Sequence, residues 1–305
     1  MKQFLLKWIK AVRAPFFTGT LVPVAVGSTL AYSQTGKFHW VNFFLTLFGF
    51  LFIHAGANLA NDYFDHKTTD DDINRSFTPF SGGSRVIQEG VVPAKHILNA
   101  ALIFFGMGSV IGLYLNYVSP GNIVLFFGIF GVLTSFFYTA TPVMFAYRGW
   151  GELMIGLDFG VLAVMGSFYV QAHFLNWSAF WASLPVAFMI TGILYINQFQ
   201  DYEADKTVNK NHWVVRLGKR KAVYGYYLII AGTYLSIIIS VISGLLPPLA
   251  LIAFLTLPLA YGAIKVLNAN YDKISELIPA NANTIKIHLF VGLLLSFGFI
   301  LSRLI

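Results

Sequence analysis

Apolar runs of about twenty residues recur along the whole chain, and short polar stretches between them carry nearly all of the charge. A helix needs roughly 20 apolar residues to cross a hydrocarbon core of about 30 Å. Taken in order, the runs predict nine spanning helices, over 14–33, 41–63, 97–117, 121–139, 151–172, 179–200, 222–243, 246–266 and 285–304. No long polar segment separates them, so the pattern predicts one all-α membrane domain over residues 1–305. Met1 to Arg13, basic and apolar together, reads as an interfacial helix rather than a signal peptide, since no small-residue cleavage site follows it. Residues 64–96 and 201–221 read as polar loops.

Composition agrees. The 305 residues are 57% hydrophobic and 11% charged, against about 25% charged in soluble domains. With no cysteine, disulfides, thiol catalysis and thiolate metal sites are excluded. Placing the N-terminus in the cytoplasm and alternating nine spans leaves only Lys37 and Arg303 outside among the 20 lysines and arginines. The positive-inside bias therefore predicts the N-terminus inside and the C-terminus outside, in a cell (plasma) membrane. The net charge of +7 then speaks for membrane surface and anionic ligands, not for nucleic acid.

The acids are not scattered. Asp62, Asp65, Asp70, Asp71 and Asp72 stand where the second apolar run ends, and Asp201, Glu203 and Asp205 where the sixth ends. Asn61-x-x-x-Asp65 is repeated as Asn197-x-x-x-Asp201, and Asp205 extends the second stripe by one more turn. A four-residue step stacks side chains on one helix face. Acids solvated at membrane exits would explain one or two carboxylates per loop, but not the same spacing twice. Facing clusters of carboxylates repel unless a cation lies between them. Hard oxygen ligands suit Mg²⁺, which takes one or two carboxylates and completes its shell with phosphate. Lysines and arginines interleave with the acids, among them Lys67, Arg85, Lys206 and Lys210, as a site for a polyanion such as diphosphate requires. No nucleotide phosphate loop of the GxxxxGK[ST] form is present, and a lipid diphosphate entering sideways fits better. The chain's 30 Phe, 15 Tyr and 6 Trp are mostly packing and interfacial belts, although a few aromatic faces beside an ionising diphosphate would stabilise a cation.

These motifs carry a resemblance. NLANDYFDHKTTDDD with TPFSGGSRVIQEG, and DYEADKTVNKNHWVVRLG after the sixth run, resemble the UbiA superfamily of intramembrane aromatic prenyltransferases. PFSGGSRVIQEG, the spacing from Asn61 to Asp71 and YTATPVMFAYRGWGELMIGLDFGVLAVMGSFYVQ resemble its 1,4-dihydroxy-2-naphthoate polyprenyltransferase branch of menaquinone synthesis. The likeness runs from about residue 13 to residue 220. It implies nine helices around a central cavity with both acidic motifs at its mouth. It also implies Mg²⁺-dependent ionisation of a polyprenyl diphosphate, with attack by a small aromatic acceptor and loss of diphosphate and carbon dioxide.

By position, the resemblance implies ligation of Mg²⁺, expected as two ions, by Asn61, Asp65, Asp71, Asn197, Asp201 and Asp205, with Asp65, Asp201, Asn61 and Asn197 as the catalytic set. The resemblance puts Lys210 and Arg148 on the diphosphate and Tyr138 in the substrate cavity; from the charge and helix-face pattern of the sequence itself, Lys67, Arg85 and Lys206 are expected on the diphosphate, and Asn58, Asp62, Tyr195 and Asp158 in the substrate cavity. The segment from Lys67 to Lys95, hinged at Gly82-Gly83, is expected to act as a lid. Thr69 and Asn209 stand where the branch has glycine. Asparagine tolerates a left-handed backbone, whereas β-branched Thr69 is expected not to. His212-Trp213 replaces a small polar pair near the acceptor side. Asp158, an acid inside a span, is a functional candidate by default, whereas His54 reads as a hydrogen-bonded packing residue. Rival readings are the same chemistry on 4-hydroxybenzoate, homogentisate or a glycerol phosphate lipid, a cation or proton transporter, and a non-catalytic scaffold that keeps a metal site for stability.

Overall fold

The computed structural model describes residues 2–305, with side chains from Leu6 onward; Met1, part of the expected interfacial helix, lies outside the described residues. Helix α1 (Lys2–Ala11) is where the basic, apolar N-terminus places it, and it exposes Leu6 and Ile9. A left-handed Arg13 (φ 52°) and a 3₁₀ turn, Ala14–Phe17, turn the chain into α2 (Thr18–Thr35). There follow α3 (Trp40–Lys67), the single turn α4 (Asp70–Ile73), α5 (Ala94–Val118) and α6 (Ile123–Phe136). A helix broken by a π segment at Gly156–Leu162 is counted in two parts, α7 (Gly151–Ile155) and α8 (Ala163–Ala172). The chain closes with α9 (Trp177–Thr207), α10 (Trp213–Leu217), α11 (Lys219–Ile242), α12 (Leu257–Asn270) and α13 (Ile278–Leu304).

Among the described residues, eight helical stretches are long and apolar enough to cross a membrane. The fourth expected span is the exception: α6 is apolar throughout but has 14 residues. At 1.5 Å per residue it reaches about 21 Å, short of a hydrocarbon core of about 30 Å. Several other expected spans were too short, two of them at the acidic motifs. Helix α3 continues four residues past 63 and α9 seven past 200, so the first residues of both expected loops are helical. This matters for the site, because Asp65, Asp201 and Asp205 ride on rigid helix ends.

The elements hold together as a layered bundle. Helix α3 packs along α5, α2 along α8 and α13, and α9 along α11. The largest core joins α2, α8, α9, α11 and α13 around Phe168, Tyr195, Phe199, Tyr226 and Phe299. Close approach relies on small residues, as it does wherever lipid rather than water surrounds the helices. A Cβ at Gly27 of α2 would stand 2.2 Å from the Val164 carbonyl oxygen, so α2 and α8 touch backbone to backbone there.

Candidate active site

The first acidic motif is assembled by a helix end and a reversal. Asn61 Nδ2 donates to Asp65 Oδ2 at 2.9 Å, as one face of α3 requires. Tyr147 Oη donates to Asp65 Oδ1 at 3.1 Å and sits 2.5 Å from the Thr68 hydroxyl. The chain then turns at Thr69, which is left-handed (φ 65°) against the expectation drawn from its β-branch. The reason is geometric. The Thr69 amide still bonds the His66 carbonyl, the Ile73 amide bonds the Thr69 carbonyl, and α4 is folded back so that Asp70 and Asp71 are buried beside Asp65. A non-glycine residue held so costs of order 1–3 kcal/mol. Asn209 is left-handed as well (φ 60°), as expected.

The second motif meets the first through Lys210. Its Nζ lies 3.0 Å from Asp65 Oδ2, 2.7 Å from Asp70 Oδ2 and 3.5 Å from Asp205 Oδ1. One ammonium thus serves three carboxylates drawn from both motifs. Asn74, just after α4, donates to Asp201 Oδ1 at 2.8 Å. His212 stands 2.8 Å from Asp205 Oδ2 through Nε2, while its Nδ1 accepts the Val215 amide at 3.3 Å. The Nδ1 acceptor fixes the tautomer, so Nε2 carries the proton and donates to Asp205.

Carboxylates outnumber cations here, and ionisation reflects it. Burial pushes the Asp70 carboxyl up to about 6, even with Lys210 pulling it down. Burial, with Asp65 and Asp62 nearby, pushes Asp71 well above the carboxylate range. Burial alone would lower Lys210, but Asp65, Asp70 and Asp205 outweigh it and hold the ammonium charged well above its ordinary value. Burial pushes His212 down to about 4. Among the described residues no three acids or histidines stand at metal-ligand spacing; the Lys210 ammonium lies among Asp65, Asp70 and Asp205 instead. The donor set nonetheless suits a hard divalent cation. The carboxylates are in excess, Asp70 Oδ1 is buried without a partner, and a cation already sits at the centre. Gly83 leaves room against the acids: a Cβ there would lie 2.1 Å from Asp71 Oδ2, and its φ is +73°.

The other expected residues divide. Asp62 is buried, pairs with Arg13 Nη2 at 3.2 Å and accepts the Ser84 amide at 3.3 Å. It therefore pins the Gly82-Gly83 loop to α3. Arg85 donates to the Asp71 carbonyl and lies over the Phe77 ring at 4.6 Å. Arg13 and Arg85 line a cavity of about 380 Å³ with Lys10, Phe16, Phe77 and Phe80. Asn197 is held by Asn281 Nδ2 at 2.7 Å. Lys67 and Lys206 are exposed, over the rings of Tyr63 and Tyr202. Arg148 is also exposed and donates to the Pro142 carbonyl at 2.8 Å; its neighbour Tyr147 takes the place beside Asp65. Tyr195 is fully buried in the core and donates to the Ala222 carbonyl at 2.9 Å. Asn58 donates to the Val12 carbonyl at 2.9 Å and ties α3 to the first turn of the chain. Tyr138 packs against Gly151, and Asp158 lies deeper, bonded to Thr134 at 2.5 Å. His54 bonds Thr20 at 2.9 Å and is buried, as a packing histidine should be.

Sequence reasoning passed over Arg13, Asn74, Tyr147 and Glu152. Glu152 is fully buried; its Oε1 accepts from Gln198 Nε2 at 3.1 Å and from the Trp213 amide at 2.7 Å. Its place at the very start of an apolar run was the available signal. Tyr147 had none beyond lying next to Arg148, and Arg13 none beyond ending the basic N-terminal stretch.

A bundle of spanning helices with two acidic motifs joined at one end, flanked by arginines and lysines, defines a membrane protein with a charge-dense polar site at one end of its helices. The UbiA prenyltransferase family model matches residues 20–294, and the chain belongs to that family. The chain is 30% identical to the 1,4-dihydroxy-2-naphthoate octaprenyltransferase of Bacillus subtilis, over 93% of this chain and 89% of that protein. It is 26% identical to the 2-carboxy-1,4-naphthoquinone phytyltransferase of Synechocystis, over 96% of this chain and 92% of that one. The fold matches a UbiA homologue from Archaeoglobus fulgidus bound to GPP and Mg²⁺ with a TM-score of 0.59 at 17% identity, covering 98% of this chain and all of that one (100%).

Proposed function

We propose that this enzyme transfers a polyprenyl group from its diphosphate to 1,4-dihydroxy-2-naphthoate, giving demethylmenaquinol, diphosphate and carbon dioxide. One observation carries the reading: carboxylates from both motifs converge on a single cation, Lys210 Nζ. The similarity to the Bacillus and Synechocystis enzymes, both named for naphthalene-ring acceptors, favours the naphthoate over 4-hydroxybenzoate, homogentisate or a glycerol phosphate lipid. The end of the bundle holding α1 and the acids faces the cytoplasm of a plasma membrane, on the charge bias of the sequence. Residues 1–305 form one catalytic domain.

Asp65, Asp70, Asp71, Asp201 and Asp205, with Asn61 and Asn197 beside them, would hold Mg²⁺. When bound, the metal would supply positive charge against the diphosphate oxygens. The chain's own residues do the rest. Lys210 leaves the carboxylates it now serves and, with Arg85 and Arg13, takes up charge on the departing diphosphate. Lys67 and Lys206, exposed at the rim, draw the polyanion in. The acceptor ring then attacks through carbon, and loss of carbon dioxide restores its aromaticity.

The test is prenyl transfer in liposomes with a polyprenyl diphosphate and Mg²⁺, with 1,4-dihydroxy-2-naphthoate beside 4-hydroxybenzoate. Product from the naphthoate alone, absent in Asp65→Asn and Asp201→Asn, is expected. Product from another acceptor alone keeps the chemistry and discards the naphthoate. No product with any acceptor discards both.

A further inference from the structure

Helices α3, α5 and α6 and the Gly156–Leu162 segment enclose a second cavity, of about 340 Å³, to which no residue of the acid cluster contributes. Small-molecule sites start at about 300 Å³. Its lining residues Leu113, Ile129 and Leu133 are exposed on the outer, apolar surface of the bundle, so it opens sideways. Gly128 and Gly131 widen it, for a Cβ at either meets nothing within 4 Å.

Two buried polar atoms in this apolar wall have no partner. Asp158, 7% exposed, gives Oδ2 to the Thr134 hydroxyl, but its Oδ1 is bare. Thr46, 4% exposed, has a bare Oγ1. Thr46 is the telling one. Thr29, Thr35, Thr207, Thr233 and Thr284 all turn their hydroxyls onto the carbonyl four residues back. That is the usual refuge of a helical threonine, and Thr46, well inside α3, does not take it. A buried polar atom without a partner costs about 1–3 kcal/mol. The backbone departs from the ordinary at the same place, since Asp158 is presented by the π-helical segment, a feature frequent at functional sites.

A hydrocarbon tail in this cavity would leave both oxygens bare, whereas a ring carrying its own oxygens satisfies them. We propose that the cavity is a binding site for a lipid-soluble prenylated quinone or quinol, with the Thr46 hydroxyl donating to one ring oxygen and the Asp158 carboxyl bonding another. That a polar lipid binds rests on Thr46 and Asp158; that its ring is a quinone rests on the prenyl transfer proposed above. The site then holds the reaction's product class apart from the acids that make it.

The experiment titrates the full-length, metal-free protein in detergent with 2-prenyl-1,4-naphthoquinone, reading tryptophan fluorescence, with squalene as the oxygen-free competitor. Saturable binding is expected, weakened roughly three- to tenfold by Thr46→Val and by Asp158→Leu, as one lost hydrogen bond each implies. Squalene should not displace the quinone. Gly131→Phe, whose ring enters the open cavity, should abolish binding while leaving the thermal midpoint in place, which guards against variants that fail to fold. No saturable binding, equal affinity in all variants, or displacement by squalene overturns the proposal. Quinone binding by a protein that prenylates no acceptor keeps this site and removes the reaction; prenyl transfer without quinone binding does the reverse.

Discussion

Asn74 donates to Asp201 Oδ1 at 2.8 Å and thereby joins the loop that follows the first motif to the second motif, 127 residues away. Its own Oδ1 accepts the Ser76 amide at 2.9 Å, so one buried side chain both shapes the loop and fixes its partner. Asn74→Ala removes both bonds. It is expected to lower stability by about 1–2 kcal/mol and to cut prenyl transfer at least severalfold at saturating substrate. Asn74→Asp sets a carboxylate against Asp201 and is expected to be worse than alanine in EDTA, with Mg²⁺ narrowing the gap. Thermal unfolding in detergent with and without Mg²⁺ checks this; equal midpoints in the two variants would count against the shared cluster.

Lys210 is the only cation within salt-bridge distance of Asp65, Asp70 and Asp205 among the described residues, apart from His212 at Asp205. Lys210→Met strips the countercharge from three buried acids. Removing one partner of a buried pair typically costs 3–5 kcal/mol, so the metal-free variant is expected to lose about 3 kcal/mol relative to wild type. Divalent metal should recover much of that loss while prenyl transfer stays impaired, because the diphosphate still lacks its lysine. Equal losses in EDTA and in Mg²⁺ would mean that Lys210 does not stand where the metal binds.

Thr69 supplies the one left-handed residue between Asp65 and Asp70. Glycine adopts that backbone without the Cβ penalty, and its greater freedom when unfolded offsets part of the gain. Thr69→Gly is expected to stabilise by roughly 1 kcal/mol with activity retained. Asn209→Gly, replacing a residue that already tolerates the conformation, should change stability by a few tenths at most. The two midpoint shifts, measured side by side, test whether the turn at Thr69 is strained.

That turn also marks where sequence stops being a guide. The helical spans and the Asn61–Asp65 face were legible, because periodicity and length are local properties. The four-residue repeat also placed Asp201 and Asp205 together. What Lys210 touches was not legible, since it depends on how two helix ends 140 residues apart are brought to one place. Tyr147 and Arg148 show the same limit. Neighbours in sequence, they point opposite ways, the tyrosine to Asp65 and the arginine to the Pro142 carbonyl, and only the 3₁₀ turn Phe145–Arg148 decides which. The short α6 fell below the expected length because the chain leaves the helix at Phe137, although apolar residues continue.

His212 gives the fold a pH dependence of definite sign. Burial holds it neutral, with its titration moved from the ordinary 6.5 down to about 4, and Nε2–H donates to Asp205. An unfolded chain takes up the proton near 6.5 and the folded one only near 4, so protons favour the unfolded state throughout that window. Stability from this group is complete above about pH 6.5 and is lost as pH falls toward 4, by about 3 kcal/mol in all at 1.36 kcal/mol per unit. Asp70 acts in the opposite direction. Its raised titration, near 6, costs stability when it must ionise and relaxes as pH falls, so the whole-protein curve is a difference of the two. Comparing wild type with His212→Gln, which cannot titrate, isolates the histidine. In EDTA the difference in unfolding free energy between the two proteins should shrink by about 3 kcal/mol between pH 7 and pH 4. A difference that stays constant across that range would show that His212 is not held as the neutral donor to Asp205.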